Sequence, residues 1–107
     1  MTQEKNILIA NIRRLSNELD SQYNGELNFR NHCYLRIAYD IIVQNKWDVV
    51  IKRPFTKYAT ENQLENAVSI LMLYKTDKKR LLTDNEKSLV FRKKAEDFKT
   101  KQTITLF

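Results

Sequence analysis

His32, Arg36 and Asp40 sit four residues apart, the spacing that stacks side chains along one face of a helix. An imidazole, a guanidinium and a carboxylate on one ridge could do acid–base work. A histidine beside a carboxylate can titrate near neutral pH, the requirement for proton transfer, and Arg36 could pair with Asp40 between them. The same ridge equally suits a structural Arg–Asp pair with His32 near the helix start, since one histidine on one helix rarely makes a site. Cys33 falls on the apolar stripe, where a free thiol is expected as inert core. With one His and one Cys, pointing to different helix faces, a tetrahedral zinc site lacks ligands, so no metal is expected. Gly25 is the only glycine, which excludes a phosphate-cradling loop and leaves no cofactor implied. The residues therefore favour a binding module over an enzyme. The alternative is a small ligand-binding or catalytic site around His32, Arg36 and Asp40, with Lys52 or Arg53 holding an anion.

The cations carry a second message. The net charge is +6, and residues 78–101 hold nine Lys/Arg against four Asp/Glu, while residues 46–57 hold four against one. Charge gathered in two stretches marks a candidate for phosphate-rich partners such as DNA or RNA. Lys52, Arg53, Lys57, Arg92, Lys93 and Lys94 are the candidate nucleic-acid or anion contacts. Interspersed Asp84, Glu86, Glu96 and Asp97 fit the plainer reading of a solvated helix face. The loop from Lys52 to Tyr58 mixes cations with Phe55 and Tyr58, a composition that suits single-stranded nucleic acid; those rings could equally plug the domain while the cations face water. Trp47 and Tyr39 are expected at a packing edge.

The elements that must position these residues are helical. In 107 residues there is one glycine and one proline, Pro54, and 42% of residues are hydrophobic against 30% charged. That composition predicts a single-domain, all-α, four-helix bundle-like fold with a basic central loop: a helical domain over 1–101 and a short extended tail over 102–107. Leu8, Ile12, Leu15 and Leu19 predict a first helix over 3–22, ended by Asn24-Gly25. A second, central helix is expected from about Phe29 to Lys46 with Asn28 as its N-cap. Thr60-Glu61-Asn62-Gln63 is a capping box that opens a third, whose buried stripe is Leu64, Ala67, Val68, Leu71 and Met72. Residues 78–101 form one bent helix or two, with an apolar face of Leu81, Leu82, Leu89, Val90, Phe91 and Phe98. No apolar run reaches the ~20 residues a bilayer span needs, and the N-terminus predicts no leader peptide. The lone cysteine suits a reducing cytoplasm.

The C-terminal hexapeptide Gln102-Thr103-Ile104-Thr105-Leu106-Phe107 resembles the short peptide with which bacterial replication and repair proteins bind the sliding clamp. In that resemblance Gln102 takes the amide position, Ile104 the middle hydrophobe, Thr105 the small polar position, and Leu106 with Phe107 the pocket-filling pair. It departs from the pattern in having Thr105 where serine or aspartate is commoner, and a chain carboxylate on Phe107. An extended peptide with a terminal aromatic is a good anchor, so the tail is expected to dock on a protein partner. The resemblance implies a cytoplasmic bacterial module of DNA metabolism; a homodimer that exchanges tails is the other use of such an end. The stretch from His32 to Asp48, with Lys46-Trp47-Asp48, is also similar to short uncharacterised bacterial proteins labelled acetyltransferase-related. That fold needs a glycine-rich loop on a mixed sheet for coenzyme A, and the sequence offers neither, so no activity carries over.

Overall fold

A computed structural model describes the backbone of residues 3–105 and the side chains of residues 3–97. The chain is all-α: α1 (Gln3–Gln22), α2 (Asn31–Val43), a 3-10 turn over Trp47–Val49, α3 (Phe55–Tyr58), α4 (Glu61–Thr76) and α5 (Lys78–Thr105). No strand occurs among the described residues beyond one isolated bridge between Asn24 and Leu27. No helix is long and apolar enough to cross a membrane, among the same residues.

α1 forms where its stripe predicts, and Ile9, Ile12, Leu15 and Leu19 are buried. The chain then turns at Gly25, whose φ of +82° is open to glycine without steric cost. α2 begins later than expected. Arg30, not Asn28, occupies the N-cap and makes no side-chain cap, while Phe29 packs edge-on against Tyr34 at 5.7 Å. Burying that ring outweighs a hydrogen-bonded cap two residues earlier. At its other end α2 stops at Gln44, which turns left-handed at φ +55°.

The capping box of α4 forms as the sequence predicts. Thr60 Oγ1 accepts from the Gln63 amide at 3.1 Å, and Gln63 Oε1 accepts from the Thr60 amide at 2.9 Å. Side-chain contacts fix the packing. Glu18 reaches Lys75 near the ends of α1 and α4, whose N-terminal turns also meet, so these two helices run parallel. Arg36 reaches Asn85 and Asp40 reaches Arg92, so α2 and α5 run parallel as well. The core gathers Leu15, Leu19, Ile37, Leu64, Leu71 and Leu81 between them. Met72, expected inside, is 55% exposed, because Ala67, Leu71 and Tyr74 define the buried face of α4.

The chain breaks at Asp77 after α4, and of the one bent helix or two expected over 78–101 the structure has one, α5. Asp84, within it, is buried and bonded to Tyr74 of α4. With 28 residues α5 is roughly 42 Å long at 1.5 Å per residue, about twice α2. Replacing the cap by Thr60→Ala removes one side-chain acceptor from the α4 N-terminus, and urea unfolding is expected to show a loss of about 1 kcal/mol.

Candidate functional site

The orientation of α5 decides what the molecule presents, and it is not the one its apolar residues predict. Leu81 is buried, but Leu89 and Val90 are 52% and 50% exposed, and Leu82 is also largely open. The inward ridge is instead Leu81, Asp84, Asn85, Ser88 and Arg92, spaced by three and four residues. A mostly polar ridge goes inside because each member finds a partner there. Phe98, expected on the apolar face, has a side chain outside the described residues.

Asp40 on α2 is fully buried and is the centre of that pairing. One carboxylate oxygen accepts from Ser88 Oγ at 2.6 Å and Arg92 Nε at 2.8 Å. The other accepts from the Trp47 backbone amide at 2.9 Å and an Arg92 terminal nitrogen at 3.2 Å. A buried carboxylate with four donors and a guanidinium opposite it is compensated in both charge and hydrogen bonding. The Asp40 carbonyl also accepts from the amides of Gln44 and Asn45, closing the α2 C-terminus. One residue thus joins α2, the 3-10 turn and α5.

Arg36 does not pair with Asp40. It donates to Ser88 Oγ at 2.7 Å and Asn85 Oδ1 at 2.8 Å, both neutral. Burial, and then the nearby Arg92 charge, lower its pKa from the ordinary guanidinium value. His32 is exposed, one turn before Arg36. The expected ridge therefore exists on α2, but Arg36 and Asp40 turn into the α5 contact and His32 does not join them. Cys33 is half-buried.

A second buried tie joins α4 to α5. Tyr74 Oη donates to Asp84 at 2.7 Å, Asp84 accepts from Arg80 Nε at 3.1 Å, and the Tyr74 carbonyl accepts from Tyr23 Oη at 2.6 Å. Burial, then the hydrogen bond to the Asp84 carboxylate, push the Tyr74 phenol well above its usual range. Arg80 and Arg92 are thus neutralised by Asp84 and Asp40. Lys79, Lys87, Lys93 and Lys94 stay exposed and make no ion pair among the described residues.

In the 46–58 loop Phe55 is the plug: it is buried, stacked on Tyr39 at 3.7 Å, with Trp47 edge-on to both at 5.6 Å. Tyr39 ionises only at about 12 because it is buried. Arg53 is occupied by Asp48 at 2.5 Å and lies over Trp47. Lys52 and Lys57 flank the exposed ring of Tyr58 at 5.8 and 5.4 Å, so one aromatic and two cations of this loop do face outward. Of the six expected anion contacts, Arg53 and Arg92 are held in ion pairs; Lys52, Lys57, Lys93 and Lys94 are exposed.

The backbone of 102–105 continues α5, where an extended segment is expected. No glycine or proline follows Lys101 to stop the helix. The side chains of Gln102, Ile104 and Thr105, and the whole of Leu106 and Phe107, lie outside the described residues. No group of His, Cys, Asp and Glu among the described residues could hold a metal ion.

Sequence reasoning missed Asn85 and Ser88, the neutral members of the Asp40 network. The signal was the polar ridge itself, unreadable without knowing which face of α2 it meets. It also missed the turn Gln44-Asn45, which with Val49, Phe91, Lys94 and Ala95 lines a half-open cavity of ≈ 580 Å³. No family model matches the chain, and no curated protein or solved structure matches it significantly. Function is therefore read from this geometry.

Removing one partner of the Asp40–Arg92 pair strands a buried charge, which typically costs about 3–5 kcal/mol. In a double-mutant cycle of Asp40→Asn and Arg92→Gln, urea unfolding is expected to give a coupling of more than about 1 kcal/mol. Additivity within about 0.3 kcal/mol would mean the pair contributes nothing specific.

Proposed function

We propose that this chain is a small basic helical interaction module of DNA metabolism, which meets nucleic acid with the outer face of α5 and the 52–58 loop. The observation that carries the reading is the division of charge on α5. On it Arg80 and Arg92 are paired with the buried Asp84 and Asp40, while Lys79, Lys87, Lys93 and Lys94 are exposed. Lys87 and Lys94 stack one above the other seven residues and about 10 Å apart, and Lys79 lies about 12 Å before Lys87 along the helix. A row of cations that make no ion pair among the described residues suits a phosphate backbone, which is held by charge and needs no base-specific contact. The lysines beside Tyr58 add a ring and two further charges of the kind that holds unpaired bases.

In the same proposal the hexapeptide 102–107 docks on a protein partner, with the bacterial sliding clamp as the form its sequence resembles. Its support is the sequence alone. Pull-down of the purified clamp by the full chain, lost on deletion of 102–107 with helicity retained, is the result that supports it. Absence of binding by the intact chain would end that half of the proposal.

The rival, a ligand site at His32, Arg36 and Asp40, has one observation in its favour: Arg36 is half-buried and bonded only to neutral groups. The outward α5 lysines are the broader feature and support the first reading. Anisotropy titrations with duplex DNA are expected to show log affinity falling linearly with log salt. The variant Lys87→Gln/Lys94→Gln should flatten that slope by about 1.8, at 0.9 per lost phosphate contact. A slope untouched by the pair, or no binding at low salt, contradicts the reading.

A further inference from the structure

We propose that the cavity between the C-terminal turn of α2 and the outer flank of α5 binds a small aromatic carboxylate. Its volume, ≈ 580 Å³, is in the range of small-molecule sites and well above what one or two waters fill. Its apolar lining is Val49, Phe91 and Ala95, a methyl-rich surface and a ring against which a flat apolar ligand can lie. Its polar lining is Gln44 and Asn45 from the α2 turn and Lys94 from α5.

Those polar groups are fixed in role by their local bonds. Gln44 uses its Nε2 to donate to the Ile41 carbonyl at 2.6 Å, which leaves Oε1 as an acceptor with no donor among the described residues. Asn45 uses its Oδ1 to accept from the Lys46 amide at 2.7 Å, which leaves Nδ2 as a donor. Lys94 is exposed and makes no ion pair among the described residues. The cavity therefore offers one cation, one neutral donor and one neutral acceptor around an apolar wall. A carboxylate satisfies the first two with its two oxygens, and the ring covers Phe91. A hydroxyl or N–H on the ring would donate to Gln44. A cationic ligand would meet Lys94 unfavourably, and a purely apolar one would leave the donors unused.

Both walls are held in place before any ligand arrives. Gln44 and Asn45 close onto the Asp40 carbonyl, and Arg92, two residues before Lys94, is paired with the Asp40 carboxylate. The turn and the helix cannot separate without breaking that pair, so little ordering cost falls on binding. The site is independent of the nucleic-acid reading, with which it shares only Lys94.

The test is a titration of the full-length chain with 4-hydroxyphenylacetate, followed by amide NMR in the absence of nucleic acid. Saturable shifts are expected at the Ala95 backbone amide and the side-chain amides of Gln44 and Asn45. The neutral 4-hydroxyphenylacetamide should bind at least tenfold more weakly, and Lys94→Gln should weaken the carboxylate by a similar factor. Phe91→Ala should abolish saturable binding, while Arg14→Gln, on α1 and outside the cavity lining, should leave it unchanged. Lys94 is exposed, so its variant tests the site even where the loss of Phe91 disturbs packing. Shifts that do not saturate, that centre elsewhere, or that are equal for acid and amide would overturn the proposal.

Discussion

A single buried carboxylate sets the architecture. Asp40 cannot sit inside an apolar bundle alone, because an ion without partners in that environment costs many kcal/mol. Every donor that compensates it lies outside α2: the Trp47 amide of the 3-10 turn, and the Ser88 hydroxyl and Arg92 guanidinium of α5. Satisfying Asp40 therefore determines how α5 is rotated about its own axis. With Ser88 and Arg92 turned in, Leu89, Val90, Lys87 and Lys94 are turned out.

This is an expensive way to pack a helix. An apolar ridge would have hidden Leu89 and Val90 and left the arginines in water, and buried ion pairs seldom stabilise more than well-fitted hydrocarbon does. What the polar ridge supplies instead is a definite register, since Ser88 and Arg92 reach Asp40 from only one helix rotation. It also leaves a surface of mixed apolar and cationic groups exposed, which is the surface both proposals use.

How far the sequence reveals this depends on where the information lies. α1, the Gly25 turn and the Thr60–Gln63 cap are local matters of periodicity, backbone freedom and neighbouring donors, and each is legible from a few residues. The all-α fold follows from the scarcity of glycine and proline. The rotation of α5 is not legible locally: its few apolar residues are scattered around the helix, and only the facing side chains of α2 decide which face turns in. For the same reason the His32–Arg36–Asp40 ridge was visible as a ridge but not as a contact surface. Asn85 and Ser88 carried no signal alone. Of the cavity, Lys94 was singled out for its charge, whereas Gln44 and Asn45 matter for a turn that no motif announces.

The central claim is the outward placement of the α5 apolar ridge, and thiol labelling reads it directly. In a Cys33→Ser background, Leu89→Cys and Ser88→Cys would be introduced separately and their reaction rates with a water-soluble disulfide reagent compared under native conditions. The account expects the thiol at 89 to react nearly as fast as in the unfolded chain, and the one at 88 to be protected by at least a hundredfold. Protection at 89 with rapid reaction at 88 would show that the helix faces the other way, and the account would fail.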